Sequence, residues 1–356
     1  MLHTPGGICH TSGASIFMQT MLSPAPTDLD KCAVPRTLRP AGLIGLGHYV
    51  PERVLTNADL EKLVETSNEW IVERTGIRER RIAAPDQSLA DIAENAARAA
   101  LADANLEIDQ IDLIIVATCT PEWLFPSTAA TLQNRLGATC GAFDLGAACS
   151  GFVYGVITAS QFVGSGAMRN VLVIGAEVMS RYVNWEDRNT CILFGDGAGA
   201  AVVSAVDEGY GLIGHDLGAN GAGGPLLRCG ILDKTDDGKI YQNGREVYKF
   251  AVQVMGDSAV RALESCGMNG DDVDIMVPHQ ANIRIIQSAA KRLKMPMEKV
   301  FVNLQNYGNT SAATIPIALS EAKTQGRLKQ GETVLLTGFG AGLTWASAVL
   351  KWSNSR

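Results

Sequence analysis

The chain has 356 residues, of which 46% are apolar, 19% charged and 6% aromatic, and its formal net charge is -7. This apolar fraction excludes a disordered chain, the negative charge argues against nucleic acid as the main partner, and no run of 18 apolar residues is present to span a membrane. The eight cysteines are too few for a disulfide scaffold and form no CxxC pair, so neither a disulfide-stabilised fold nor a zinc site is expected.

The first 39 residues differ in composition from the rest of the chain. They are rich in Ser, Thr, Pro and Gly, and they lack the basic segment followed by an apolar run that marks a secretory signal. We therefore predict a flexible leader over residues 1–39, with Met18 and Met21 as alternative start sites. The remainder is expected to be a reduced, cytoplasmic protein.

From residue 40 onward, short apolar strands alternate with amphipathic helices. A strand is predicted over 41–51, a capped helix over 56–64, an Ala-rich helix over 88–106 and a strand buried on both faces over 111–119. This alternation is typical of layered α/β proteins.

The order of elements after residue 110 is repeated within the chain. Four segments recur in the same order and at similar spacing, namely 111–119 with 273–281, 131–137 with 289–295, 142–152 with 300–313, and 171–177 with 334–340. Generic strand–helix units can resemble each other by chance, but four segments in register favour a duplication. We predict two similar halves, residues 40–206 and 207–356, related by a pseudo-twofold axis.

The two halves differ at the turns where chemistry is expected. Cys149, in AACSGF, precedes a small-residue helix whose N-terminus would favour a thiolate, although a free cysteine is more often a buried structural residue. His279, in VPHQAN, follows a strand of the second half, and Asn309, in NYGNTSAA, occupies a turn that the repeat places opposite Cys149. Taken singly, the histidine could be a satisfied polar group and the asparagine a helix cap.

The repeat predicts that Cys149, His279 and Asn309 meet at one site between the halves. A thiolate can accept an acyl group, and N–H donors of His and Asn can stabilise an oxyanion that forms on a second substrate. No carboxylate occurs in these motifs, and none is expected in the site. The glycine-rich stretch 195–202 fits neither a dinucleotide fingerprint nor a P-loop, and close packing between strands explains its glycines better.

Several motifs spread over residues 41–352 carry a resemblance to a known family. They are TSNEWIVERTGIRERR (66–81), FPS (125–127), AACSGF, DRNTCILFGDGAGAAV (187–202), VPHQANIRII (277–286), NYGNTSAA and GFGAGLTW (338–345). They resemble the family of β-ketoacyl-acyl-carrier-protein synthase III, the initiating condensing enzymes of bacterial type II fatty acid synthesis. The resemblance implies a thiolase-like α/β fold, in which two duplicated halves form five layers in the order α-β-α-β-α.

The resemblance implies a two-step reaction. Cys149 would take the acyl group from a short acyl-CoA, and malonyl-acyl-carrier protein would then lose CO2 and attack the acyl-cysteine, giving 3-ketoacyl-acyl-carrier protein. His279 and Asn309 would stabilise the enolate, and the backbone N–H groups of Cys149 and Ala341 would form the oxyanion hole. Acyl-CoA is a substrate, no cofactor or metal is expected, and the choice among acetyl, propionyl and branched primers is left open.

The resemblance also implies contacts with both substrates. Contacts with CoA and the acyl chain fall on Trp70, Arg74, Arg188, Gly244, Asn282, Phe125 and Phe339. Phe125 would reach into the acyl pocket of the partner subunit of a homodimer. Contacts with the acidic carrier protein fall on Lys249, Arg284, Lys291 and Arg292. Their local positive charge would overcome the net charge of -7, and the alternative is an ordinary solvated helix face.

Related enzyme classes fit the motifs less well. A thiolase would carry a second cysteine in the C-terminal glycine turn, but that turn is GFGAG here and contains no cysteine. A hydroxymethylglutaryl-CoA synthase would use a Glu base, which no motif of this chain supplies. A type III polyketide synthase would usually have GFGPG in that turn. A condensing or acyl-transfer enzyme of secondary metabolism remains the alternative. A non-catalytic acyl-binding protein is disfavoured by the intact set of Cys, His and Asn.

Overall fold

The structure is a computed structural model that describes residues 38–230 and 237–353. The predicted leader covers residues 1–39, and all of it except the last two positions lies outside the described residues. Within the described part of the chain, no helix combines the length and the apolar character needed to cross a membrane.

The described residues form thirteen β-strands. In chain order they are β1 (Ala41–Tyr49), β2 (Arg53–Thr56), β3 (Glu79–Ile82), β4 (Leu113–Ala117), β5 (Gly141–Leu145), β6 (Asn170–Val178), β7 (Asp196–Ala205), β8 (Gly211–Ala219), β9 (Leu227–Cys229), β10 (Ile240–Gln242), β11 (Ile275–Pro278), β12 (Thr333–Gly340) and β13 (Thr344–Lys351).

The same residues form nine α-helices, several of them preceded by short 3₁₀ turns. In chain order the helices are α1 (Asn57–Leu60), α2 (Asn68–Thr75), α3 (Leu89–Ala104), α4 (Thr128–Leu136), α5 (Gly151–Gly164), α6 (Gly244–Glu264), α7 (Ile283–Arg292), α8 (Leu304–Tyr307) and α9 (Thr314–Thr324).

Two large sheets share one topology. The first has the strand order β1-β7-β6-β4-β5 and the second β8-β13-β12-β11. In both, the first two neighbouring pairs are antiparallel and the next pair is parallel. Met276 of β11 also forms a parallel bridge with Val300, in the place that β5 takes beside β4. The repeat predicts a strand in the segment 300–313, as the counterpart of β5, but only this single bridge forms. The shared strand order of the two sheets is that of a duplication.

Helices fill three layers around the two sheets. α5 and α9 lie between the sheets in a core that includes Phe152, Ile315 and Leu319. α3 and α4 cover the outer face of the first sheet, and α6 and α7 cover that of the second. Burying each large apolar side chain stabilises the fold by about 1.5–3 kcal/mol, so the central helix layer joins the sheets firmly. The five layers are those that the resemblance implied, while the boundary at residue 206, in the loop from β7 to β8, stays a prediction.

Local sequence signals explain where α3 begins and why α1 is short. Ser88 and Asp91 form a reciprocal capping box at the start of α3, and Asn105 ends the helix in the left-handed conformation. Thr56 caps α1 in a similar way, but the helix predicted over 56–64 ends at Leu60. Leu60 is buried whereas Leu63 is 56% exposed, so no apolar face beyond Leu60 repays the cost of extending the helix.

The glycines of β7 are explained by a close helix rather than by neighbouring strands. A Cβ on Gly199 would lie 2.7 Å from the backbone nitrogen of Ile317 in α9, and a Cβ on Gly197 would lie 3.0 Å from the side chain of the same isoleucine. The expectation of strand–strand packing is therefore wrong in detail. Small residues on β7 let α9 approach the sheet closely, and this close approach fixes the position of the turn before α9.

Candidate active site

Cys149 lies in a sharp turn that has a counterpart in the other half. The 3₁₀ turn Ala148–Ser150 precedes α5, and the 3₁₀ turn Ser311–Ala313 precedes α9. Each turn opens with a residue in the left-handed region, with φ of 45° at Ala148 and 50° at Ser311. This register makes the residue after Ser311 the counterpart of Cys149. Asn309 comes three positions earlier, so the expectation that it occupies the position opposite Cys149 is corrected.

Each turn packs against the sheet of the opposite half. A Cβ on Gly340 of β12 would lie 2.6 Å from the backbone nitrogen of Cys149, and a Cβ on Gly175 of β6 would lie 2.2 Å from the carbonyl oxygen of Ala312. Glycine is required at both places because any side chain would displace the turn. The contact with β12 brings Ala341, the residue after Gly340, to the rim of the same cavity as Cys149.

A cavity of about 280 Å³ brings the three predicted chemical residues together. Its lining includes the side chains of Cys149, His279 and Asn309. Phe339 and Ala341 also line it, as the resemblance implied. Among the described residues, no group of three or more His, Cys, Asp or Glu is arranged to hold a metal ion.

His279 is held by two contacts and is 1% exposed. Its Nδ1 lies 2.7 Å from the hydroxyl oxygen of Thr314, and its ring meets that of Phe339 edge to face at a centroid distance of 5.5 Å. Burial lowers the pKa of His279 to about 3, so the imidazole is neutral near pH 7. Because Nδ1 is engaged, Nε2 is the nitrogen available to a bound substrate.

The amide of Asn309 is oriented by its own turn. Its Oδ1 accepts a hydrogen bond from the backbone N–H of Ser311 at 2.8 Å. Its backbone N–H donates to the carbonyl of Leu193, and its carbonyl accepts from Gly195, so the chain is fixed on both sides. With the oxygen occupied, the Nδ2 group remains as a donor.

The surroundings of Cys149 favour a thiol, contrary to the expectation of a thiolate. Burial raises the pKa of Cys149 to about 12, and the nearby carboxylate of Glu177 acts in the same direction. The Sγ–H group donates to the hydroxyl oxygen of Ser311 at 3.4 Å. The N-terminus of α5 follows Cys149 as expected, but desolvation outweighs it in the closed cavity.

A carboxylate lies beside the site, contrary to the sequence-based expectation. Glu177 is fully buried near the end of β6, and its Oε1 accepts a hydrogen bond from Ser311 at 2.9 Å. Burial raises the pKa of Glu177, and hydrogen bonds from Thr120 and Cys119 partly offset that effect. One signal was present in the sequence: Glu177 is the only charged residue in the otherwise apolar segment 171–177.

A surface groove of about 770 Å³ adjoins the catalytic cavity. Its lining includes Trp70, Arg74 and Arg284, and it shares Gly244 and Asn282 with the cavity. Asn282 also caps α7 and donates to the carbonyl of Arg74, so it supports the wall of the groove as well as lining it. The shared residues provide a continuous route from the surface towards Cys149.

Two arginines flank the indole of Trp70. The guanidinium of Arg74 lies 4.8 Å from the ring centroid and that of Arg188 lies 5.1 Å from it. Both contacts are cation–π interactions. At 5.1 Å there is no room for an adenine between Trp70 and Arg188, so the arginine side chain must swing outward for the stacking that the resemblance implies.

The structure separates the four cations expected to dock the carrier protein. Lys249 and Arg284 line the groove. Lys291 and Arg292 occupy the opposite end of α7, about 12 Å further along the helix at 1.5 Å per residue. Arg292 is paired there with Asp257 at 3.0 Å. Lys249 and Arg284 are also paired, with Glu246 at 2.8 Å and with Glu73 at 3.5 Å. Of the four cations, only these two line the groove next to the cavity.

Phe125 is remote from the cavity of its own chain. It is 85% exposed and follows two other exposed apolar residues, Trp123 and Leu124. It does not line the cavity that contains Cys149. The nearby strand β5 is the last strand of its sheet, so its outer edge is unpaired within the described chain.

Comparisons with known proteins identify the family. Residues 143–221 match 3-oxoacyl-[acyl-carrier-protein] synthase III, and residues 263–352 match the C-terminal region of that family. The chain is similar to a β-ketoacyl-[acyl-carrier-protein] synthase III of Caldanaerobacter subterraneus subsp. tengcongensis. The two are 54% identical over 325 residues, which cover 88% of this chain and 98% of the relative.

Solved structures lead to the same family. The 3-oxoacyl-[acyl-carrier-protein] synthase III of Aquifex aeolicus has a TM-score of 0.85 and 48% identity, covering 88% of this chain and 100% of that one. The enzyme of the same name from Thermus thermophilus has a TM-score of 0.85 and 49% identity at the same coverage. These likenesses confirm the thiolase-like fold. The chain therefore belongs to the β-ketoacyl-acyl-carrier-protein synthase III family of condensing acyltransferases, which initiate fatty acid synthesis.

Proposed function

We propose that this chain transfers a short acyl group from acyl-CoA to Cys149 and then condenses it with malonyl-acyl-carrier protein. The products are 3-ketoacyl-acyl-carrier protein, CoA and CO2. The observation that carries this proposal is the meeting of Cys149, His279 and Asn309 in one cavity that shares lining residues with a surface groove. An acyl group attached to the sulfur would be shielded there from water.

In the first step, Cys149 attacks the thioester carbonyl of acyl-CoA. The backbone N–H groups of Cys149 and Ala341 stabilise the oxyanion of the tetrahedral intermediate. The close contact of Gly340 with the Cys149 turn supports this role, because it holds the two backbone segments together. CoA then leaves, and the acyl group remains on the sulfur.

In the second step, His279 and Asn309 stabilise the enolate that forms as the malonyl group loses CO2. Nε2 of the neutral imidazole and Nδ2 of the amide are the free donors that the surrounding hydrogen bonds leave available. Thr314 Oγ1 lies 2.7 Å from Nδ1 and 3.1 Å from the carbonyl oxygen of Ser311, and it has one proton to donate. The proposed role requires that proton to point to Nδ1, which places the imidazole proton on Nε2. The carbanion then attacks the acyl-cysteine.

The groove is the proposed path for CoA and for the carrier's phosphopantetheine arm. Arg74, Arg245, Lys249 and Arg284 line it, so the local charge is positive although the chain carries -7 overall. Phosphates and an acidic carrier protein are attracted to such a surface. Trp70 and Arg188 are proposed to hold the adenine once the arginine has moved aside.

We also propose that the enzyme acts as a homodimer. Strand β5 offers an unpaired edge, and the exposed apolar residues Trp123, Leu124 and Phe125 lie on the segment just before α4. An exposed strand edge and an exposed apolar patch both mark surfaces that are covered in an assembly. Phe125 would close the partner's acyl pocket. The cytoplasmic location and the absence of a cofactor stay predictions.

The test is acyl transfer to the protein itself. Incubation with labelled acetyl-, propionyl- or branched acyl-CoA should add one acyl group to the peptide that contains Cys149, as read by mass spectrometry. Cys149→Ser should remove the label, whereas Cys266→Ser should keep it, because Cys266 follows the C-terminal end of α6 and does not line the cavity. Absence of label with every primer would refute the proposed reaction.

A further inference from the structure

A buried acid lies next to the nucleophile, and the proposed reaction has not used it. Glu177 is fully buried, and its partners are hydroxyl, thiol and backbone N–H groups. Its Oε2 accepts hydrogen bonds from Thr120 at 2.6 Å and from Thr118 at 3.1 Å, and Cys119 donates to it through its backbone N–H. Among the residues that the structure describes, no cationic side chain forms an ion pair with it. Burying a carboxylate without a cationic partner costs free energy, which indicates that Glu177 has a function.

Two consecutive hydrogen bonds connect this acid to the reactive sulfur. Cys149 Sγ–H donates to Ser311 Oγ at 3.4 Å, and Ser311 Oγ–H donates to Glu177 Oε1 at 2.9 Å. Both donors point in the same direction, from the thiol towards the carboxylate. Ser311 itself is held in place, because its backbone N–H donates to Asn309 and its φ of 50° belongs to the strained turn.

We propose that Ser311 and Glu177 form a proton relay that serves Cys149. This inference rests on the proposed acyl transfer. As the sulfur bonds to the acyl carbon, the thiol proton passes to Ser311, and the hydroxyl proton of Ser311 passes to Glu177. The carbon–sulfur bond of acyl-CoA breaks, and CoA leaves as a thiolate that takes its proton from solvent. When condensation breaks the bond between Cys149 and the acyl carbon, Glu177 returns its proton through Ser311 and the thiol is restored.

Proton transfer along the relay avoids placing two negative charges in the buried site. Forming a thiolate beside an ionised Glu177 would place two negative charges in one buried site, which is unfavourable. Transfer along the relay moves a single negative charge from the carboxylate to the sulfur, so the net charge of the site does not change. Burial raises the pKa of Glu177, which makes its carboxylate a better proton acceptor, and it raises the pKa of Cys149, which keeps the thiol protonated in the resting site.

A passive charge and a relay predict opposite results for the same substitution. If Glu177 were only a buried charge, Glu177→Gln would remove its repulsion, lower the pKa of Cys149 and speed acyl transfer. If Glu177 accepts the proton, Glu177→Gln should slow acyl transfer by about 10²-fold, the usual contribution of a general base. Ser311→Ala should give a similar loss while leaving the carboxylate in place.

The experiment measures single-turnover acyl transfer from labelled acetyl-CoA by rapid quench, over pH 6 to 9. Other titratable groups coupled to Glu177 are Cys119, Cys149 and Tyr182. In Glu177→Gln the rate should rise about tenfold per pH unit, because hydroxide must then remove the thiol proton. Thr118→Val is the matched control: it deletes one hydrogen bond to the same carboxylate without interrupting the relay, and should change the rate less than threefold.

A second readout separates the relay from the acyl-CoA reaction. Alkylation of Cys149 by iodoacetamide needs the same proton removal but no CoA, so Glu177→Gln and Ser311→Ala should also slow it near pH 7. If wild-type protein is not acylated while this pattern holds, the relay stands and the proposed function fails. Acylation or alkylation of Glu177→Gln at or above the wild-type rate would overturn the relay. If Glu177→Gln does not fold, the pH profile of the wild-type rate decides the matter: a rate independent of pH over this range supports the relay, and a tenfold rise per pH unit overturns it.

Discussion

The burial of His279 makes a quantitative prediction about stability at low pH. The folded pKa is about 3 and that of an exposed histidine is 6.5, so between these values the unfolded chain binds a proton that the folded chain does not. Stability from this group is therefore fully present above pH 6.5 and is lost as the pH falls towards 3. The linkage relation gives a loss of about 2 kcal/mol between pH 7 and pH 5 for this histidine.

The perturbation is His279→Gln, which removes the titration but keeps an amide that can bond to Thr314. Urea unfolding of both proteins at pH 7 and pH 5, at one protein concentration, gives the change in the free energy of unfolding. Burial also lowers the pKa of His48, but its contribution is common to both proteins and cancels in the comparison. Wild type should lose about 2 kcal/mol more than the variant over this interval.

An equal pH dependence in the two proteins would refute the reasoning. It would mean that His279 is protonated in the folded state near pH 5, either because it is hydrated or because an acid pairs with it. The proposed mechanism depends on a neutral imidazole that donates through Nε2. A folded pKa near 6.5 would still leave the imidazole mostly neutral at pH 7, so the assignment of His279 to enolate stabilisation is tested separately by His279→Ala.

Three further predictions concern catalysis, packing and docking. His279→Ala should leave acylation of the cysteine intact but slow malonyl decarboxylation by about 10²–10³-fold in a CO2-release assay, and equal loss of both steps would contradict the division of labour. Gly199→Ala places a Cβ 2.7 Å from α9 and should lower the free energy of unfolding by about 1–3 kcal/mol, whereas Gly221→Ala meets no atom within 4 Å and should change it little. Arg284→Glu should raise KM for the carrier protein more than KM for acyl-CoA. Arg292→Glu should raise KM for the carrier protein less, because Arg292 pairs with Asp257 and does not line the groove. Equal effects of the two variants in steady-state kinetics would reject the assignment.

Local sequence was sufficient to predict most of the strands, the repeat and the three residues that meet in the cavity. The buried runs at 111–119 and 273–281 predict matching parallel strands because a strand covered on both faces must be apolar throughout. The small residues around Cys149 predict a tight turn before a helix. The helix predicted over 56–64 was too long, because it ends at Leu60. The length of a helix depends on how far its apolar face is buried against the rest of the protein, which local sequence does not show.

The relation between the two halves was less accessible. The repeat showed that the turns before α5 and α9 correspond, but only the positive φ values at Ala148 and Ser311 define their register. The family resemblance likewise placed four cations near the expected site without showing which ones face it. Helix α7 turns Arg284 towards the groove and leaves Arg292 beside Asp257.

The layered fold, its duplication and the family could be inferred from the amino-acid sequence, because strand and helix periods and ungapped motifs are local properties of the chain. The protonation states of Cys149 and His279 and the presence of Glu177 in the site required the three-dimensional packing. Protonation depends on burial, and burial is set by packing. Cys149 and Ser311 are 162 positions apart, and Ser311 and Glu177 are 134 apart, so no local pattern could show that a hydrogen-bonded path connects them.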